Sequence, residues 1–218
     1  MHFMDRKTTE ETGKSALSGR QRLIEAALRL GARKRSLLAI GLRELGREAG
    51  LNPNTFYRHF RDTDELYLAI IEELGADLRQ NLRDIRRSVM PVREGARRTV
   101  EYVFDYAQRN PDALVVAIRE MHGASPVLRQ ALRKLIDGFA GEIVEDLRVL
   151  DFLPGLKPEP LKQISRIIVQ QVFLFTLDFI ENPTQRVQLL DQASFLFDAL
   201  FAGAISLDAG FAAPSMRR

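Results

Sequence analysis

The stretch LNPNTFYRHF, residues 51–60, gathers side chains suited to reading a base pair onto one short helix. Asn can pair bidentately with adenine, Arg with guanine, and Thr can meet a thymine methyl group. Here those residues are Asn54, Thr55 and Arg58. Phe56 and Phe60, one helical turn apart, point inward together and leave the three on the outer face. Tyr57 and His59 flank them and can hydrogen-bond phosphates, which sets register rather than sequence. Catalysis finds far less to work with. The 218-residue chain has no Cys and no Trp, and its three His, at positions 2, 59 and 122, share no ligand-like spacing. Disulfides, thiolate nucleophiles and Cys-ligated metals are therefore excluded. With no nucleophile–base pair, metal-ligand spacing or Gly-rich phosphate loop, the sequence reads as a binding protein, not an enzyme, and calls for neither metal nor cofactor.

A reading helix needs a scaffold that presents it. Leu42, Leu45 and Ala49 fall at i, i+3 and i+7 and make the buried face of a preceding helix, with Arg43, Glu44 and Arg47 off that face. Gly50 stands where a helix ends in a left-handed residue, Leu51 can plug the corner, and Asn52-Pro53 restarts a helix at once. Helix, short Gly turn, helix is the helix-turn-helix pattern. Before it, residues 20–32 bury Leu23, Ile24, Ala27 and Leu28 and expose Arg20, Arg22 and Arg29, with Arg33, Lys34 and Arg35 beyond. The charge follows the same division. Residues 1–60 hold 12 Lys/Arg against 6 Asp/Glu, and the other 158 hold 20 against 23, so a net +3 conceals a basic front and a mildly acidic remainder. Such a front is suited to a polyanion.

Proline supplies most of the punctuation. Asn52-Pro53, Asn110-Pro111, Asn182-Pro183 and Ser125-Pro126 each offer a capping side chain followed by a residue that needs no backbone N–H in a first helical turn. Between these marks the apolar residues recur at helical period, with no alternating strand. The spacing predicts an all-α chain of about nine helices, near 19–32, 42–49, 53–60, 63–89, 91–109, 111–122, 126–150, 159–181 and 184–207. Residues 1–18 read as a flexible basic arm, 19–62 as a helix-turn-helix DNA-binding domain, 63–208 as a ligand-binding and dimerisation domain, and 209–218 as a tail. No apolar run approaches a membrane span and the N-terminus is unlike a signal peptide, which predicts a soluble cytoplasmic protein without a membrane partner.

The segment REAGLNPNTFYRHFRDTDEL, preceded by RQRLIEAALRL, resembles the DNA-binding domain of the tetracycline-repressor (TetR) family of bacterial transcriptional regulators. The resemblance is specific over about residues 19–70 and architectural beyond. It implies an all-helical homodimer whose first three helices bind an operator in double-stranded DNA and whose remainder binds a small effector and the partner subunit. Carried over by position, it puts Asn54, Thr55 and Arg58 at base edges and Tyr57, His59 and Arg43 at phosphates. Many members carry a Lys for a backbone contact at the position of Thr63, and Arg61 is then the nearest charge to replace it. Asp62 or Thr63 can instead cap the next helix, with Glu65 as a capping-box partner. Gly41 stands where a Ser or Thr cap is common. FYRHFRDTDEL followed by LRQNLRDIRR also resembles the subgroup of repressors that control fatty acid synthesis and desaturation and sense acyl-CoA.

Behind the reading domain the fourth helix, with a stripe of Leu66, Ile70, Leu74, Leu78, Leu82, Ile85 and Val89, would span ~40 Å at 1.5 Å per residue, long enough to act as a lever. Its other face (Arg79, Arg83, Asp84, Arg86, Arg87) reads as charged and solvated. The last two helices are apolar around most of their circumference and need neighbours on every side. A partner chain meeting Val169, Phe173, Phe179, Phe197 and Phe201 across a two-fold axis satisfies this, and pairs two reading helices about one DNA turn apart on a pseudo-palindromic operator. A partner chain is the economical explanation, the alternative being a central helix of a monomeric core. For an effector, Phe104, Ile118, Met121, His122, Phe139, Ile143, Phe173 and Phe175 are the expected lining, and the lack of charge among them favours a largely apolar molecule such as an acyl chain or acyl-CoA. Gly138 and Gly141 can open room beside Phe139 or allow close helix packing, and His122 can equally cap a helix. The alternative function is a helical adaptor that binds proteins without specific DNA binding.

Overall fold

A computed structural model of the chain describes residues 17–34, 36–152 and 156–208. The expected arm, up to residue 16, and the tail lie outside them. The described residues are helical throughout, with no strand: α1 (Gly19–Lys34), α2 (Leu42–Ala49), α3 (Thr63–Ser88), α4 (Val92–Arg109), α5 (Pro111–Glu120), α6 (Pro126–Val149), α7 (Pro158–Glu181) and α8 (Arg186–Asp208). Three short 3-10 segments, Leu37–Ala39, Pro53–Arg58 and Pro183–Gln185, complete them. The third predicted helix is thus a 3-10 helix. Asn52 caps it by accepting from the Asn54 N–H at 3.0 Å, and Thr55 N–H already reaches back only three residues, to the Asn52 carbonyl at 2.8 Å. The helix expected over 111–122 also ends early, because α5 stops at Glu120 and the chain leaves it through i to i+3 bonds from His122 and Gly123.

The proline signals work through three of their four caps. Ser125 accepts from Leu128 N–H and Asn182 from Thr184 N–H. Asn110 makes no such bond; its amide instead donates to the Tyr106 carbonyl at the end of α4. At the turn after α2, Gly50 has φ 62° and ψ 35°, the left-handed conformation that only Gly adopts without a Cβ penalty. Leu51 N–H bonds the Gly46 carbonyl at 2.8 Å and Gly50 N–H the Arg47 carbonyl at 3.1 Å, which satisfies two orphan carbonyls of α2. Gly46 is needed for space, since a Cβ there would press on the Leu51 carbonyl and on Pro53.

The two parts of the chain share one continuous core. In the head, Leu23, Ile24 and Ala27 of α1, Leu45 and Ala49 of α2, and Phe56 and Phe60 are all buried, and Leu66 and Tyr67 of α3 join them. The predicted stripe of α3 continues into the body through Ile70, Leu74, Leu78 and Leu82, all buried. Around it α4, α6, α7 and α8 form a bundle, with α3 packed on α4 and α6, and α7 packed on α6 and α8. By length and composition α7 and α8 could each cross a membrane. Both pack into this bundle, where Leu161, Ile168, Phe173 and Phe179 of α7 and Leu189, Leu190, Ala193 and Phe197 of α8 are buried.

Candidate nucleic-acid interface and effector cavity

On the head, Asn54, Tyr57 and Arg58 are exposed and Thr55 and His59 half-buried, while Phe56 and Phe60 anchor the segment from below. Phe56 meets Phe60 at 5.8 Å between ring centroids and takes Tyr57 edge-on at 5.3 Å. Tyr57 is therefore braced against the core while 64% of it stays exposed. The His59 imidazole lies against the start of α1, in space that a side chain at Gly19 would occupy. Arg43 projects from the first turn of α2, whose N-cap, Gly41, supplies no side-chain bond. Thr63 is the first residue of α3, and the cap is Asp62, which accepts from Glu65 N–H at 2.9 Å. Glu65 returns a bond to Arg61 N–H at 2.6 Å, one residue earlier than a capping box would place it. The Glu65 N–H, and then Arg61, hold the Asp62 carboxyl below the usual carboxylate range.

The basic surplus is distributed differently from its sequence appearance. Arg29 and Arg33 pair with Glu48 at 2.9 and 2.8 Å, Lys34 with Glu44 at 2.6 Å, and Arg20 with Glu73. Arg22 donates to the Gly50 carbonyl at 2.9 Å and so braces the helix-turn-helix corner. These cations tie α1 to α2 and α3. Arg61 reaches only its neighbour Asp62, at 3.2 Å, with 83% of its side chain exposed. Among the described residues, Arg43, Arg47 and Arg58 are exposed and in no ion pair. The uncommitted charge of the head thus lies on α2 and the reading segment.

In the body, α3, α4, α6, α7 and α8 line a partly open cavity of about 120 Å³. Leu78 and Leu82 of α3, Ala96, Val100 and Val103 of α4, Phe139, Ile143 and Leu147 of α6, Ile168, Val169, Val172 and Phe173 of α7, and Phe197 and Phe201 of α8 line it. Three residues expected at an effector site, Phe139, Ile143 and Phe173, are among them. The other five are elsewhere. Phe104 is fully buried and stacks on Phe179 at 4.7 Å, Ile118 and Met121 pack in the core around α5, and His122 is exposed. Phe175 lies in a groove between α7 and α8 with Gln171 and Phe195. The apolar lining residues missed, on all five helices, are ordinary positions whose side only the bundle geometry reveals.

The residues expected to face a partner are drawn inward in this chain. Val169, Phe173 and Phe197 are buried and, with half-buried Phe201, line the cavity; Phe179 is in the core. Large apolar side chains that α7 and α8 leave exposed are different ones: Ile167, Leu174, Val187, Phe195 and Ile205, with Phe195 74% exposed. The reason is that both faces of these helices are apolar, so composition does not say which turns inward.

One rim of the cavity is charged. Asp146 of α6, only 3% exposed at its side chain, accepts from Arg86 Nε at 2.6 Å and from Arg87 Nε at 2.5 Å, both on α3. Arg86 also faces Glu142 at 3.5 Å, and Glu142 holds Arg79 at 2.9 Å. Arg79 lies over the Phe139 ring at 5.3 Å. The face of α3 expected to be solvated is, at Arg79 and Arg86, an ionic seam that fastens α3 to α6.

Residues 23–70 match the family described as "Bacterial regulatory proteins, tetR family". The whole fold is similar to solved structures of bacterial regulators. A fatty acid degradation regulator, FadR, of Bacillus halodurans is 14% identical, with a TM-score of 0.67 over 87% of this chain and 98% of that one. FadR of Bacillus subtilis in complex with stearoyl-CoA is 16% identical, with a TM-score of 0.63 over 83% and 96%. FadR of Thermus thermophilus, a TetR family repressor in complex with lauroyl-CoA, is 22% identical, with a TM-score of 0.59 over 84% and 93%.

Removing Asp146 should be costly out of proportion to its size, because it leaves Arg86 buried without its nearest anion. Asp146→Ala is expected to lose about 3 kcal/mol of stability, read as a lowered urea midpoint, with Arg87→Ala, half exposed, losing much less.

Proposed function

We propose, from the premise that this chain belongs to the tetR family of bacterial regulatory proteins by its residues 23–70, that it is a ligand-responsive transcriptional repressor. It binds a pseudo-palindromic operator as a cytoplasmic homodimer and is controlled by a largely apolar molecule, of which an acyl chain or acyl-CoA is the leading class. The observation that carries the DNA-binding half is the reading segment. Asn54 and Arg58 are exposed on it, and Arg58 is one of the few head cations in no ion pair among the described residues. Asn54, Thr55 and Arg58 read base edges, while Tyr57, His59 and Arg43 hold phosphates. Arg61 supplies the backbone charge beside Thr63, since its link to Asp62 is exposed and weak.

The effector half is supported by the cavity, whose walls are almost wholly apolar and include the same helix, α3, that enters the head core. A chain-like apolar ligand suits those walls, whose polar side chains are Thr99 and the Arg86–Asp146 rim. The FadR structures with stearoyl-CoA and lauroyl-CoA support the same class. For the dimer, the support is the exposed apolar face of α7 and α8. Ile167 and Leu174 are exposed i, i+7 along one side of α7, and the α7–α8 groove adds Phe175, Val187 and Phe195, which is more apolar surface than isolated exposed residues explain.

A binding-site selection tests the reading set. Arg58→Ala and Asn54→Ala are expected to relax base preference at one position of each half-site, by about 1–3 kcal/mol of discrimination; unchanged selected sites would remove these residues from the groove. The interface is tested by Leu174→Asp with Phe195→Asp, which should give monomers in analytical ultracentrifugation while leaving helicity intact. Aspartates at Phe173 or Phe197 would probe the cavity instead.

A further inference from the structure

Glu120 stands in an unfavourable place for an acid. It is the last residue of α5, where the helix dipole favours cations, and it is 3% exposed. A buried carboxylate persists only where its oxygens are used. Glu120 Oε1 accepts from Leu37 N–H at 2.8 Å and from the Ser36 hydroxyl at 3.1 Å, 83 and 84 residues earlier in the chain. Its Oε2 is buried without a hydrogen-bond partner among the described residues, in the space that a Cβ on Gly123 would need, so Oε1 carries the whole link to the head. The neighbouring Arg119 donates to the Ala32 carbonyl, at the end of α1, at 3.1 Å. The tip of α5 therefore grips both sides of the α1–α2 connection.

Leu37 is held from a second direction. Its carbonyl accepts from the Tyr67 hydroxyl of α3 at 2.6 Å, and both residues are buried. Burial, with the charges of Asp64 and Glu120 adding to it, pushes the Tyr67 hydroxyl up to about 12, so it remains a donor at neutral pH. At Gly31 of α1 the missing Cβ lets the Leu37 side chain and Val116 of α5 close in. One residue of the head thus has its N–H claimed by α5 and its carbonyl by α3. Those two helices also run to the cavity, since α3 lines it directly and α5 packs on α4 and α7, which do.

We propose that Glu120 is a positioning residue that sets the orientation of the DNA-reading head on the effector body, by pinning the turn Leu37–Ala39 to the tip of α5. Without it the head keeps its contacts with α3 and, through α1, with α5, Arg119 on the Ala32 carbonyl and Val116 at Gly31 among them, but loses the bond that fixes its pose and takes several. A pair of contacts from α3 and α5 on one residue makes the pose sensitive to a shift of either helix. The proposal stands on these contacts, and the DNA-binding reading enters only in what the pose is for.

The absence of Cys makes the test direct, because introduced cysteines are the only labelling sites. Spin labels on Arg47→Cys in the head and Lys134→Cys on α6, both exposed in the parent, report the head-to-body distance in the full chain by double electron–electron resonance, with spin-diluted protein to suppress signals between chains. The parent is expected to give a single narrow distribution, and Glu120→Gln, which keeps an acceptor oxygen, the same. Glu120→Leu removes both acceptors yet fills the space and suits the helix end better, so it should give a broadened, multi-peaked distribution with helicity unchanged. Glu120→Met, more adaptable in shape, is the second variant where leucine does not fit. A narrow, parent-like distribution in whichever of these folds, even with a lowered melting temperature, would mean that Glu120 only stabilises and would overturn the proposal. Failure of the parent to select any DNA site would sink the DNA-binding reading and leave this result standing.

Discussion

Helix α3 runs through the one core that the head and the body share, and most of the molecule follows from that constraint. At 1.5 Å per residue its 26 residues make a rod ~39 Å long. Its first turns place Leu66 and Tyr67 among the buried side chains of the head, and further along Leu78 and Leu82 form part of the cavity wall. A rod fixed in both cannot yield at one end without displacing the other. The Arg86–Asp146 and Arg79–Glu142 pairs fasten its far half to α6. Any molecule that spreads the cavity works against that seam, and the displacement has an unbroken helix along which to reach the reading segment.

Electrostatics in the head serves structure before it serves recognition. Arg20, Arg29, Arg33 and Lys34 are committed to Glu73, Glu48 and Glu44, and Arg22 to the Gly50 carbonyl. Exposed pairs of this kind contribute little each; four of them, with one carbonyl brace, fix how α1 sits on α2 and α3. The consequence is a division of labour among cations that composition hides. Residues 1–60 hold twice as many bases as acids, yet among the described residues only a small group of these cations, Arg43, Arg47 and Arg58 among them, is free to meet an anion.

Much of the fold was legible because the sequence punctuates itself. Asn52, Ser125 and Asn182 before Pro mark helix starts that the structure repeats, and Gly50 adopts the left-handed conformation that the turn requires. The Phe56–Phe60 pair fixed the inner face of the reading segment, and hence its outer one. The cavity was harder. Phe173 and Leu174 are adjacent and equally apolar, yet one lines the cavity and the other is exposed; Phe197 and Phe195 divide in the same way. Periodicity gives a direction only when a polar face opposes the apolar one, and these helices lack it. Asp146 and Glu120 were invisible for a different reason. Each looks like one more surface acid until Arg86, 60 residues away, or Leu37, 83 residues away, is brought beside it.

On the proposed function, occupancy of the cavity and the hold on DNA are linked through the body of one chain. Fluorescence anisotropy of a selected operator, titrated with and without palmitoyl-CoA, measures that link directly. The linkage should alter operator affinity ~5-fold or more with the acyl-CoA, and leave no such change in Val169→Trp, whose indole would occupy the cavity. Equal operator affinities with and without palmitoyl-CoA, under conditions where the acyl-CoA is bound, would contradict it.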